Sequence, residues 1–304
     1  MEMSKAVEGY WLHKTNLSKS TVADYKGTFK KFVEHVGDEQ IEKLTADDVR
    51  SFLNDLKAKG LAGKTCCNAW VALSSLWTWA CKEFRVEHIV RQVEKPKYRV
   101  PVVQTYTQPE IRAMVAGCEK NADWESKTGK LVSPSRATVL RDKAIVVLLV
   151  DTGMRSSELC ALQMRHYNQQ TGRIDIIAGK GDKDRVVYAS TVARRYIWRY
   201  LAHRKTARAD DPLFETATGN HMDRRGLLRM IQTLGDRCGI ENAYVHKFRH
   251  TFAVNFIRNG GNPIELKNLL GHSDMNTVLI YVRLAAVDLE NAQQRASVAD
   301  RWKL

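Results

Sequence analysis

No stretch of the 304 residues holds the run of about 18 apolar side chains that a membrane-spanning helix needs. The N-terminus, MEMSKAVEGYW, also lacks the apolar core of a secretory signal. Both absences place the expected protein in the cytosol or on DNA, with no membrane partner. Cysteine is sparse: Cys66, Cys67, Cys81, Cys118, Cys160 and Cys238 form no CxxC motif. They read as reduced, small core residues rather than as disulfides or metal ligands. Negative charge is short as well. Thirty-four Asp and Glu stand against 48 Lys and Arg, a formal net charge of +14 that exceeds what solubility requires. Nucleic acid is the partner this composition points to.

What is present suits two domains, because 44% hydrophobic residues in a chain of 304 can build two cores. Both halves are basic, 17 Lys and Arg against 13 Asp and Glu in residues 1–100 and 31 against 21 in 101–304. That distribution fits a protein that holds DNA from two sides. Residues 1–90 read as an all-helical, DNA-binding domain. Ser18 or Ser20 caps a helix whose Val22, Tyr25, Phe29, Phe32, Val33 and Val36 follow the helical period up to Gly37. Thr45 with Asp48 opens a second helix carrying Val49, Phe52, Leu53 and Leu56, and Gly60 stops it. A third, from Lys64 to Phe84, turns Trp70, Leu73, Leu76, Trp77, Ala80 and Phe84 inward, so its tryptophans are core rather than base-stacking platforms. Lys14, Lys19, Lys26, Lys30, Lys31 and Lys64 are the candidate phosphate contacts. The text RQVEKPKYRVPVVQ has two prolines and no helical period, which makes residues 91–105 the linker to a second domain at 106–304. Two basic domains on a basic linker predict a clamp around a duplex.

The second domain opens at Thr107, Pro109 and Glu110, a helix start by its chemistry. Residues 119–135 are polar and read as a surface loop or insertion. An apolar helix from Arg136 carries AIVVLLVDTG to Gly153, and Ser156 is placed to cap a short helix directly after it. Arg155 is thereby pinned at a helix start, beside N–H groups that favour anions. Arg173 to Ser190 carry the one strong strand signal, a hairpin with GKGDK at its tip. Lys180 sits in the middle of the Gly-Lys-Gly unit; Lys183 and Arg185, with Lys64, are counted as DNA contacts. Val192 to Met230 is densely basic, with Arg194, Arg195, Arg199, Arg204, Lys205, Arg208, Arg224, Arg225 and Arg229 as an electrostatic footprint on DNA. The expected fold is mainly α with a small β-hairpin: a helical N-terminal domain and a mixed α/β second domain.

The stretch Tyr244–Tyr281 concentrates the chemistry. His246 and His250 are four apart with Arg249 between them, so one helix presents all three near one face. Gly260 and Gly261 break that helix, Pro263 starts another that ends at Gly271, and His272 follows in a loop. Ser273 or Asp274 caps a third helix with Tyr281 about two turns inside. Taken alone, the cluster is open to three readings: half-buried polar side chains, a zinc helix, or a phosphate site with a tyrosine nucleophile. Zinc fits poorly, because Lys247 stands where the metalloprotease helix has Glu and Arg249 repels a dication.

TGMRSSELCAL, the AGKGDKDRVV hairpin, HKFRHTFA and LLGHSDMNTVLIY, in this order and spacing, resemble the four signatures of the tyrosine recombinases, the integrase family of site-specific recombinases. The motifs span residues 107–285, and the first domain is similar in position to the family's core-binding domain. The resemblance implies that Arg155 and Arg249 bind the scissile phosphate, Lys180 is the hairpin lysine, His246 and His272 are site histidines, and Tyr281 is the nucleophile. Glu158 is implied to support the first arginine and His250 to be structural. It further implies strand exchange through a 3′-phosphotyrosine bond by four protomers on two DNA sites, without metal, ATP or cofactor. The tail after Tyr281, helical in propensity and free of Gly and Pro, is the expected link between protomers. Two alternatives share parts of this reading: a topoisomerase that nicks and rejoins one strand, and a non-catalytic DNA-binding factor on the same fold.

Overall fold

The computed structural model describes the chain except residues 100–101, 120–123, 126–130, 133–135, 178–183, 205, 217, 272–273, 286–296, 298, 300–301 and 303–304. It divides into two compact units, Met1–Val102 and Val103–Leu304. In the first, capping chemistry sets the helix limits. Ser18 accepts the backbone N–H of Thr21 at 3.1 Å to start α2 (Lys19–Val36), which stops at the left-handed Gly37. The Asp48 carboxylate accepts the Thr45 N–H at 2.7 Å to start α3 (Ala46–Ala58), and α4 runs over Gly63–Phe84. Ahead of these lies α1 (Met3–His13), a helix that the sequence reading does not anticipate. It buries only Met3, Ala6 and Tyr10, too few apolar positions to show a period. Tyr10 sets its ring edge against Phe29 at 5.4 Å, and Phe32 meets Trp77 edge-on at 5.7 Å. Trp77 is fully buried and the half-buried Trp70 donates its indole N–H to the Val93 carbonyl at 3.0 Å, so both serve the core.

The second unit is built around α6 (Arg136–Thr152), whose Ala144, Ile145, Val146, Leu148 and Leu149 are wholly inaccessible. Three helices pack on it: α5 (Gln108–Gly117), α8 (Thr191–Leu201) and α10 (Val245–Arg258). Its turns over residues 144–150 are apolar on every side and need such cover. Within 119–135, expected as a loop, Trp124–Glu125 and Leu131–Val132 form a short antiparallel ladder, β1 and β2. β3 (Arg173–Ile176) and β4 (Arg185–Tyr188) form the predicted hairpin, with Ile174 opposite Val187 and Ile176 opposite Arg185. The short α7 (Ser156–Ala161) follows Gly153, and α9 (Arg224–Arg237) packs against α5 and α7. Last come α11 (Pro263–Leu270) and α12 (Met275–Leu284), which share a small core with α10 through Val254, Leu266, Leu270, Val278 and Tyr281. Among the described residues, no helix is long and apolar enough to cross a membrane.

Candidate active site

The C-terminal end of α11 collects three arginines. A helix end leaves carbonyls without intrahelical partners and carries a partial negative charge, so guanidiniums suit it. Arg185 Nε donates to the Leu269 carbonyl at 2.7 Å, Arg249 Nη2 to the Leu270 carbonyl at 2.7 Å, and Arg155 Nη2 to the Gly271 carbonyl at 3.0 Å. Gly271 closes the helix at φ 65°, a left-handed turn that glycine takes without strain. Arg249 makes a second bond, to the Gly153 carbonyl at 3.0 Å, and is 1% exposed. Burial, with the Arg155 charge nearby, pulls its guanidinium down to about 10, so it stays charged at neutral pH. Arg155 occupies the cap position of α7. Its N–H is held by Glu158 Oε2 at 2.7 Å and its Nη1 by Glu158 Oε1 at 2.9 Å, while the side chain keeps 30% of its surface. Burial alone would raise the Glu158 carboxyl, but the hydrogen bonds and charge of Arg185 and Arg155 hold it at about 2.

Next to Arg249 on α10, His250 Nδ1 lies 3.0 Å from the Tyr281 hydroxyl. Burial, then His246 and Arg249, bring the His250 imidazole down to about 4, so it is neutral at pH 7. Burial raises Tyr281 against the opposing pull of Arg249, so the phenol is protonated and shares a hydrogen bond with Nδ1. His246 meets His250 edge to face at 4.6 Å between ring centres. Its ring is partly solvent-accessible, and its basicity is lowered by partial burial, Arg249 and Arg155. The site therefore sets a phenol, two neutral imidazoles and two guanidiniums side by side. That set of groups can neutralise an anionic phosphate, supply a nucleophile and take its proton.

Comparison with known proteins adds an independent observation. Residues 124–287 match the phage integrase family, and residues 8–83 match the N-terminal SAM-like domain of phage integrases. The chain belongs to the phage integrase family. Among its relatives, the tyrosine recombinase XerD of Rhizobium meliloti (strain 1021) is 31% identical over 255 residues, 82% of this chain and 79% of the relative. The XerA recombinase of Pyrococcus furiosus is 27% identical over 93% of this chain and 90% of its own. In fold, the Tn1549 transposon integrase in complex with circular intermediate DNA has a TM-score of 0.77 at 18% identity, covering 97% of this chain and 99% of that one.

The remaining predicted residues of this phage integrase family member meet different fates. Lys180, Lys183, Lys205 and His272 lie outside the described residues. Lys64 is exposed, donates to the Tyr98 hydroxyl at 3.0 Å and stands 4.8 Å over that ring. Arg185, expected among the DNA contacts, is instead turned inward: it donates from Nη1 and Nη2 to the two Glu158 oxygens at 2.7 Å each, and its side chain keeps 9% of its surface. The strand alternation carried this signal, since Arg185 stands opposite the buried Ile176 and two residues from the buried Val187. Arg204 likewise leaves the basic footprint, donating to the Pro212 carbonyl at 2.6 Å and pairing with Glu215 at 2.9 Å. Arg195, Arg199, Arg224, Arg225 and Arg229 stay exposed. His250, read as structural, is the imidazole that touches the tyrosine, and a helical i to i+4 count alone could not choose between it and His246.

Proposed function

We propose that the chain cleaves and rejoins DNA at specific sites through a covalent 3′-phosphotyrosine, with Tyr281 as nucleophile. The observation that carries this is the Tyr281 hydroxyl hydrogen-bonded to a neutral His250 beside Arg155 and Arg249. A phosphodiester repels nucleophiles and has a poor leaving group, and the side chains answer both problems. Arg155, with its exposed face, meets the nonbridging oxygens, and Arg249 adds its charge from a low-dielectric position beneath. Tyr281 Oη attacks phosphorus, the bond to the 5′ oxygen breaks, and the phenolic proton passes to His250, with His246 next in line. Lys180 delivers a proton to the departing 5′ oxygen and His272 donates a hydrogen bond to the phosphate, by their places in the motifs. Tyr281 is 2% exposed, so attack also requires a movement that brings its hydroxyl to the DNA.

The phosphotyrosine conserves the energy of the broken bond, so rejoining needs neither ATP nor a metal. Residues 1–90 hold the duplex from one side and residues 106–304 from the other, joined by 91–105, in the cytoplasm where the DNA is. Four protomers on two sites complete the exchange, linked through the tail. The test is trapping on nicked suicide duplexes tiling the DNA around the gene, with chelator and without nucleotide. A covalent adduct that disappears in Tyr281→Phe is expected. An adduct that persists in that variant, or depends on nucleotide, overturns the reading.

A further inference from the structure

We propose that Arg185 is a positioning residue of this reaction: it locks Glu158 to the end of α11 and so fixes where Arg155 presents its guanidinium. The inference rests on the recombinase reading above, and it follows from a chain of contacts. Arg185 spends both terminal nitrogens on the two Glu158 oxygens and its Nε on the Leu269 carbonyl, all at 2.7 Å. Glu158 in turn holds Arg155 at both backbone and side chain. Arg155 then reaches the Gly271 carbonyl, two residues beyond the one Arg185 binds. A closed loop results, running from Arg185 through Glu158 and Arg155 to α11 and back. Arg249 joins it through the intervening Leu270 carbonyl.

Geometry limits what else could stand at this position. Both side chains of the Arg185–Glu158 pair keep 9% of their surface, so removing one leaves a buried, uncompensated charge. A lysine retains the charge but has no planar fork to span both oxygens and a carbonyl. Space is also taken: a Cβ on Gly271 would lie 3.1 Å from Arg185 Nη1. Because Arg185 begins β4 directly after the hairpin tip, the same clamp ties the root of the segment bearing Lys180 to the phosphate arginines. The hairpin is thereby anchored to the site it serves.

The experiment compares wild type with Arg185→Lys, Arg185→Gln, Glu158→Gln and the Arg185→Gln/Glu158→Gln pair. The readouts are single-turnover adduct formation on the nicked suicide duplex, its pH profile, and DNA affinity as a function of salt. The expected result is at least a tenfold slower adduct at saturating protein in Arg185→Gln, with Arg185→Lys partly rescued. DNA affinity and its salt slope stay at wild-type values, since no phosphate contact is lost. The pair costs no more than the worse single change, because the two residues act as one unit. In Arg185→Gln the acid limb of the profile moves to higher pH as Glu158 loses its strongest partner. A salt slope reduced by about one with an unchanged saturating rate makes Arg185 a DNA contact and overturns the proposal. Additive losses, or an unchanged rate in Arg185→Lys and Glu158→Gln alike, overturn it too. Should Arg185→Gln not fold, those two milder variants decide the question. A wild-type protein that forms no adduct refutes the recombinase reading itself, a result distinguishable from all of these.

Discussion

A phenol and an imidazole 3.0 Å apart hold one proton between them, and here the proton stays on Tyr281 because the site depresses His250 and raises the tyrosine. This has a cost in acid. The unfolded chain takes up a proton on that histidine near its ordinary 6.5, whereas the folded protein does so only near 4. Between those values the unfolded state binds more protons, so stability falls as pH is lowered through the window. With its partial solvent contact discounted, the contribution of His250 is on the order of 1–2 kcal/mol. Melting temperature measured from pH 7 to pH 4.5 is expected to drop more steeply in wild type than in His250→Asn, and parallel curves would refute the burial argument. Glu158 acts in a separate window: held at about 2, it contributes above its ordinary 4.5 and is lost as pH falls from there. Glu158→Gln therefore leaves the slope between pH 7 and pH 5 unchanged. Motif spacing named these residues, but the contact of His250 with Tyr281 and the inward turn of Arg185 onto Glu158 were not legible there, because a spacing gives a helix face and not a partner.

At the scale of elements, Gly153 is where two helices and a guanidinium depend on one backbone position. Its φ of 60° ends α6, its carbonyl accepts from Arg249, and a Cβ there would stand 2.5 Å from Phe252 Cδ1 on α10. Gly153→Ala forces a left-handed alanine and displaces an aromatic ring, so a loss of about 2–4 kcal/mol is expected in urea denaturation. The variant is also expected to slow cleavage more than it weakens binding, since the shifted carbonyl is one that holds Arg249. A change below about 0.5 kcal/mol would show that α10 yields without cost. This glycine was legible as a cap from AIVVLLVDTG, as were Ser18 and the Thr45–Asp48 cap, because short-range capping is written locally. α1 and the β1–β2 ladder were not. The helix buries three side chains and each strand has two residues, too short for either period to register.

On the scale of the whole molecule, the charge excess in both halves points to DNA as the partner, and the four-protomer assembly proposed above needs a further contact. The tail beyond α12 is the segment the catalytic geometry leaves unused. Its LENAQQRASVADRWKL sequence has no Gly or Pro, and Trp302 is 71% exposed on the single chain. An indole with that much apolar surface in water gains by burial against a partner, about 25 cal/mol per Å² covered. Truncation after Val287 removes that surface while leaving every residue proposed for the chemistry in place. Binding to one site by gel shift is then expected to stay within about twofold of the full chain, and adduct formation on a single suicide duplex to persist, because every helix and strand from α1 to α12 is retained with the proposed nucleophile. Joining of two sites is expected to fail, read as loss of the four-protomer species by light scattering on DNA. Tetramers formed as readily by the truncated chain would assign assembly to the two compact units and leave the tail without that role.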